Sequence, residues 1–125
     1  MENNLLRRNE IITTLIAALK PLDCVYAMWQ SDSAAFNRTD QWSDIDITID
    51  VEDHMVKDVF KIIDKTLEKL SNIEYTHECE LAISPGSHQK IYKLQKTSKF
   101  LIIEITAVKH SIDEKIFEKE IHDDV

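Results

Sequence analysis

The chain of 125 residues holds one glycine, Gly86, two prolines and two cysteines. With a single glycine, every other tight turn must be made by residues that carry a Cβ. Cys24 and Cys79 lie far apart with no paired spacing, which leaves no disulfide framework and no zinc motif. Cysteine usage of this kind fits a reducing cytoplasm. No apolar run approaches the roughly 20 residues that a bilayer-spanning helix needs, so no membrane association is expected. The opening MENNLLRRNE is interrupted by acids and amides and lacks the layout of a secretory signal. Basic residues are also scarce, 15 Lys and Arg against 23 Asp and Glu, for a net charge of −8. That balance argues against binding long nucleic acid, which depends on Lys and Arg neutralising phosphates. A small phosphorylated ligand screened by divalent cations is compatible with it.

The residues present read as one folded domain with one hydrophobic core, 43% apolar and 30% charged. Residues 5–19 carry Leu5, Ile12, Leu15, Ile16 and Leu19 at helical spacing, and Pro21 stops that helix. "CVYAMW" reads as a short buried strand, and "SAAF" as a turn of helix with Ser33 at or near its N-cap. A polar loop, "NRTDQWS", leads to a second strand, "DIDITIDV". Val56, Val59, Phe60, Ile63, Leu67 and Leu70 then mark a helix over 53–71. In the second half "IEYTHECELAI", "HQKIYKLQK" and "KFLIIEITAV" read as three strands of an antiparallel meander, and "SIDEKIFEKEI" as a short closing helix. This order predicts an α/β sandwich with a mixed sheet and helices packed mainly on one face.

Chemistry concentrates on three acids. In the alternating "DIDITID", Asp44 and Asp46 share one face of a strand and Ile45, Ile47 and Ile49 the other. Glu104 interrupts an otherwise apolar strand, sharing a face with Ile102 and Thr106. Burying a carboxylate there is costly without a cation, hydrogen bonds or water. Three carboxylates can hold two divalent ions that clamp the oxygens of a phosphoryl displacement, with Glu104 as ligand or general base toward an incoming hydroxyl. The plainer reading is an amphipathic strand with a wet face, on which Glu104 pairs with a lysine such as Lys93.

The stretch before the acids resembles the DNA polymerase β-like nucleotidyltransferase superfamily, which includes small-molecule and minimal nucleotidyltransferase domains. Its signature is a strand, Gly-Ser, a short helix, a glycine four residues after the serine, and an acid-x-acid pair on the next strand. Ser33 matches the serine and precedes Asp44 by eleven residues, "SAAF" and "WSDID" look like one branch, and Glu104 stands where the family has its third carboxylate. The likeness covers about residues 22–108. It implies a nucleotidyltransferase-type sandwich and Mg²⁺-dependent transfer of a nucleoside monophosphate from an NTP such as ATP to a hydroxyl of a small molecule or protein. By the same likeness Asp44, Asp46 and Glu104 hold a two-metal Mg²⁺ site, and Ser33 at a helix start holds the triphosphate. Asp32 stands where the family has the glycine before the serine, and Asn37 where it has the later one. Asn tolerates a left-handed backbone. An Asp32 carboxylate about 5 Å from a phosphate charge would repel it by roughly 3 kcal/mol at an effective dielectric of about 20. The alternative is therefore a degenerate, antitoxin-like domain that binds nucleotide or a partner protein. A homodimer or a helical partner is the association such a domain implies.

Other signals are weaker. "DIDIT" matches the D-x-D-x-T opening of haloacid-dehalogenase-like phosphatases, but a polar segment precedes Asp44 where that family has an apolar strand, and the chain is short for its fold. His54, His77, His88, His110 and His122 are scattered, and in "HECE" alternate residues point opposite ways. Trp29 reads as core, while Trp42 is placed to stack on a base. Arg38 is the basic residue placed to contact phosphate, and Lys90, Lys93, Lys96 and Lys99 read as a wet face near the site.

Overall fold

Isoleucine at every second position of 45–49 forms the centre of the core. The computed structural model describes residues 5–30, 44–80 and 87–111. Five strands, β1 (Val25–Gln30), β2 (Ile45–Val51), β3 (Ile73–Glu80), β4 (Ser87–Leu94) and β5 (Ile103–Lys109), form one sheet in the order β1-β2-β5-β4-β3. β2 and β5 run parallel, and every other neighbouring pair is antiparallel. The expected mixed sheet and the meander of the second half are therefore both present.

Two helices, α1 (Arg8–Leu19) and α2 (Val56–Leu70), pack on one face of the sheet. Ile45, Ile47, Ile49 and Val51 of β2 and Ile103, Ile105 and Ala107 of β5 are buried there against Ile11, Leu15 and Leu19 of α1 and Val59, Ile63 and Leu67 of α2. Each such side chain contributes on the order of 2 kcal/mol by leaving water. Asp46, Thr48 and Asp50 of β2 and Glu104 and Thr106 of β5 face away from the helices and are half-buried. The core thus leaves one face of the sheet uncovered by either helix, and the acids stand on it.

The helix boundaries differ slightly from those read off the sequence. The first helix starts at Arg8, where the Glu10 carboxylate accepts the Arg7 backbone N–H at 3.0 Å. The second is preceded by a 3-10 turn over Asp53–Met55, begun by Glu52 accepting the His54 backbone N–H at 3.0 Å. The expected helical turn at "SAAF" and the closing helix lie outside the described residues.

Candidate functional site

The alternation that buries the isoleucines turns Asp46 to the uncovered face, and the parallel register of β2 and β5 sets it directly beside Glu104. Glu104 is fixed from the other side, because Gln89 of β4 donates from Nε2 to Glu104 Oε1 at 2.6 Å. Asp44 stands exposed just before β2. Its Oδ1 accepts the Ile102 backbone N–H at 3.0 Å, which bridges the start of β2 to the approach of β5. Asp46 and Glu104 are thus brought together as neighbours, with Asp44 at the strand entrance, its carboxylate engaged by backbone. Among the described residues no group of three His, Cys, Asp or Glu side chains is gathered tightly enough to hold a metal ion. Ser33, Asp32, Arg38 and Trp42 lie outside the described residues.

Behind the acids, a second row crosses four strands: Trp29, Thr48, Thr106 and Gln89 stand in register. Trp29 was expected in the core, and its position is a correction. The β1–β2 register slips between Val25 and Ala27, so Met28 rather than Trp29 follows Val25 onto the core face. The bulge changes the parity of the strand, and Trp29 moves, half-buried, to the face of the acids.

The meander lysines are not one wet face. Lys90 points to the helix side and pairs with Asp64 of α2 at 3.0 Å. Lys93 is buried, and its ammonium donates to Thr97 Oγ1 at 2.7 Å, the Ser98 carbonyl at 2.6 Å and the Leu101 carbonyl at 3.4 Å. Burial pushes the Lys93 ammonium below its usual range, against the opposing pull of Glu74 and Asp44. Glu104 is held by the Gln89 amide and not by the Lys93 ammonium that the plainer reading offered.

Arg8 escaped the sequence reading. Although charged, it is buried at the start of α1, where Nε donates to the Asp44 carbonyl at 3.1 Å and Nη2 to Gln30 Oε1 at 3.0 Å. Gln30 and Asp44 are the residues on either side of 31–43, so one side chain ties both ends of the segment that carries Ser33 and Arg38. The signal was present: Arg8 precedes Ile12, Leu15 and Leu19 by 4, 7 and 11 positions, the stripe that packs on the sheet.

No helix among the described residues is long and apolar enough to cross a membrane. Comparisons with protein-family models, curated proteins and solved structures find no match to this chain.

Proposed function

We propose that the chain is a Mg²⁺-dependent nucleotidyltransferase of the DNA polymerase β-like type, built on that family's sandwich. It would transfer a nucleoside monophosphate from an NTP, ATP first among those to test, to a hydroxyl of a small molecule or protein. One observation carries the reading: Asp46 facing Glu104 across parallel strands on a sheet face that neither helix covers. Opposed carboxylates are unfavourable neighbours in a sheet, and a divalent cation between them relieves the repulsion. Their oxygens are hard donors of the kind Mg²⁺ takes.

In this reading Asp44, Asp46 and Glu104 would hold the two ions, with Asp44 keeping one oxygen on the Ile102 N–H. When bound, the ions supply charge compensation for the attacking and leaving oxygens. The Glu104 carboxylate receives the proton of the acceptor hydroxyl as its oxygen bonds to the α-phosphorus. The bond from that phosphorus to the β-phosphate oxygen breaks, and pyrophosphate leaves. Gln89 keeps Glu104 turned toward the acceptor by holding Oε1. Ser33, Asp32 and Arg38 are assigned to the triphosphate side.

A second reading is a catalytically silent relative that binds nucleotide or a helical partner protein. It is favoured by the Asp44 carboxylate lying on a backbone N–H, and by Asp32 and Asn37 at the family's glycine positions. Thermal-shift titration with each NTP, with and without Mg²⁺, separates the two. A Mg²⁺-dependent rise with one nucleotide, lost in Asp44→Asn/Asp46→Asn, supports the enzyme. No rise at millimolar nucleotide removes the enzyme reading.

A further inference from the structure

On the opposite side of the sheet from the acids, a groove of about 420 Å³ runs between α2 and the β3–β4 hairpin. Lys57 and Lys61 of α2, Lys90 and His88 of β4, Lys109 at the end of β5 and His54 line it. Four of the chain's 15 basic residues therefore meet in one groove of a protein whose net charge is −8. Three acids share the lining, Asp53, Asp64 and Glu78. Asp64 is already occupied by Lys90 at 3.0 and 3.1 Å and by the Tyr92 hydroxyl at 2.6 Å. Asp53 is held by the Ser111 hydroxyl and, at 3.1 Å, its backbone N–H. Among the described residues Lys57, Lys61 and Lys109 form no ion pair, although Lys109 helps hold the Asp53 carboxyl below its usual range and Glu78 remains in the lining as a counter-charge.

Lys57 and Lys61 sit one helical turn apart, a like-charge spacing that destabilises an isolated helix. Lys109, at the end of β5, lines the same groove from the sheet side. An anion in the groove turns the Lys57–Lys61 repulsion into attraction. Val56 and Phe60 also line the groove, so it offers an apolar wall beside the cations. Its volume falls within the range of small-molecule sites, roughly 300–1,000 Å³.

We propose that this groove binds a small phosphate monoester, its phosphate on Lys57, Lys61 and Lys109 and its body against Val56 and Phe60. The site is separate from the acidic face, and its existence does not depend on nucleotidyl transfer.

The test is a titration of the ¹⁵N-labelled full chain with phenyl phosphate, followed by amide shifts, with EDTA present to keep the acidic face free of metal. Saturable shifts are expected at amides of 54–61, 88–90 and 109. In Lys57→Ala/Lys61→Ala the affinity is expected to fall by about tenfold or more. Both lysines are exposed, so the variant's remaining spectrum reports that the fold is kept. No saturable shift up to about 20 mM, a dissociation constant too weak for a specific site, overturns the proposal. So does unchanged affinity in the double variant, or equal binding of phenol, which would make the groove merely apolar. Inorganic phosphate binding as tightly as phenyl phosphate overturns the role given to Val56 and Phe60.

Discussion

The guanidinium of Arg8 holds the backbone carbonyl of Asp44 at 3.1 Å from Nε, 36 residues away in the chain. A second bond, to Gln30 Oε1, makes the same side chain a staple across the ends of 31–43. Hydrogen bonds from a charged donor contribute about 1.5–3 kcal/mol each, here at the lower end because both are only part-buried and Asp44 is exposed.

Replacing Arg8 is therefore expected to lower stability by about 2–4 kcal/mol for Arg8→Met. Arg8→Lys is expected to recover only part of this, because one ammonium lacks the fork that reaches a carbonyl and an amide together. Urea unfolding midpoints read both variants. Equal stability of Arg8→Met and wild type would mean the staple contributes nothing.

The cross-strand acids give a prediction that needs no knowledge of the acceptor. Neighbouring strands lie about 4.8 Å apart, and two carboxylates at that separation repel by about 3 kcal/mol at an effective dielectric of about 20. Solvent at these half-buried positions reduces that figure. Without metal, Asp46→Asn or Glu104→Gln is expected to raise stability by about 1 kcal/mol. With millimolar Mg²⁺ the order reverses, since the wild type alone gains from the ion. Paired urea curves with and without Mg²⁺ check this, and parallel responses in all three proteins would refute the shared cation.

The contrast between Ile47 and Trp29 shows what the sequence made legible and what it did not. Ile45, Ile47 and Ile49 alternate with polar residues, so the core face of β2, and hence the outward face of Asp46, follow from period two alone. Glu104 was readable by the same logic, but its partner was not. Register between β4 and β5 decides that Gln89 rather than Lys93 reaches Glu104, and register arises from the turn and the whole sheet. Trp29 lies in an unbroken apolar run, "VYAMW", that carries no alternation to assign a face. A bulge between Val25 and Ala27 does so instead, and nothing in the local residues announces it. The burial of Arg8, which the sequence reading passed over, and of Lys93, which it placed on a wet face, was hidden for a common reason. Long basic side chains are usually solvated, and only the tertiary arrangement supplies the carbonyls that make burying them tolerable.

Lys93 organises the turn between β4 and β5 from beneath. Lys93→Met keeps the stem volume but removes the donor to Thr97, Ser98 and Leu101. A loss of about 2 kcal/mol at neutral pH is expected, with faster amide exchange over 95–102 as the local signature. The pH dependence has a definite sign. The folded-state pKa lies below the ordinary 10.5, so the unfolded chain binds more protons just below that pH. Stability from this group therefore rises as pH approaches 10.5 and falls as pH drops through the folded value, and the methionine variant lacks that rise.

Tyr92 acts in the opposite direction at alkaline pH. It is fully buried, and burial first, then the bond to Asp64 and the charges of Asp64 and Glu78, push its hydroxyl far above the ordinary 10.0. A raised acid pKa means the folded state keeps its proton after the unfolded state has lost it. The stabilisation is complete below pH 10 and declines as pH rises above it. Between the wild type and Tyr92→Phe, the wild type is expected to lose about 1.4 kcal/mol more for each pH unit above about 10. At neutral pH the phenylalanine variant starts lower by about 1 kcal/mol, because Asp64 loses its 2.6 Å donor while keeping Lys90. The two urea-stability curves are thus expected to converge on the alkaline side, and parallel curves through pH 11 would place the Tyr92 hydroxyl outside the buried, Asp64-bonded environment seen here.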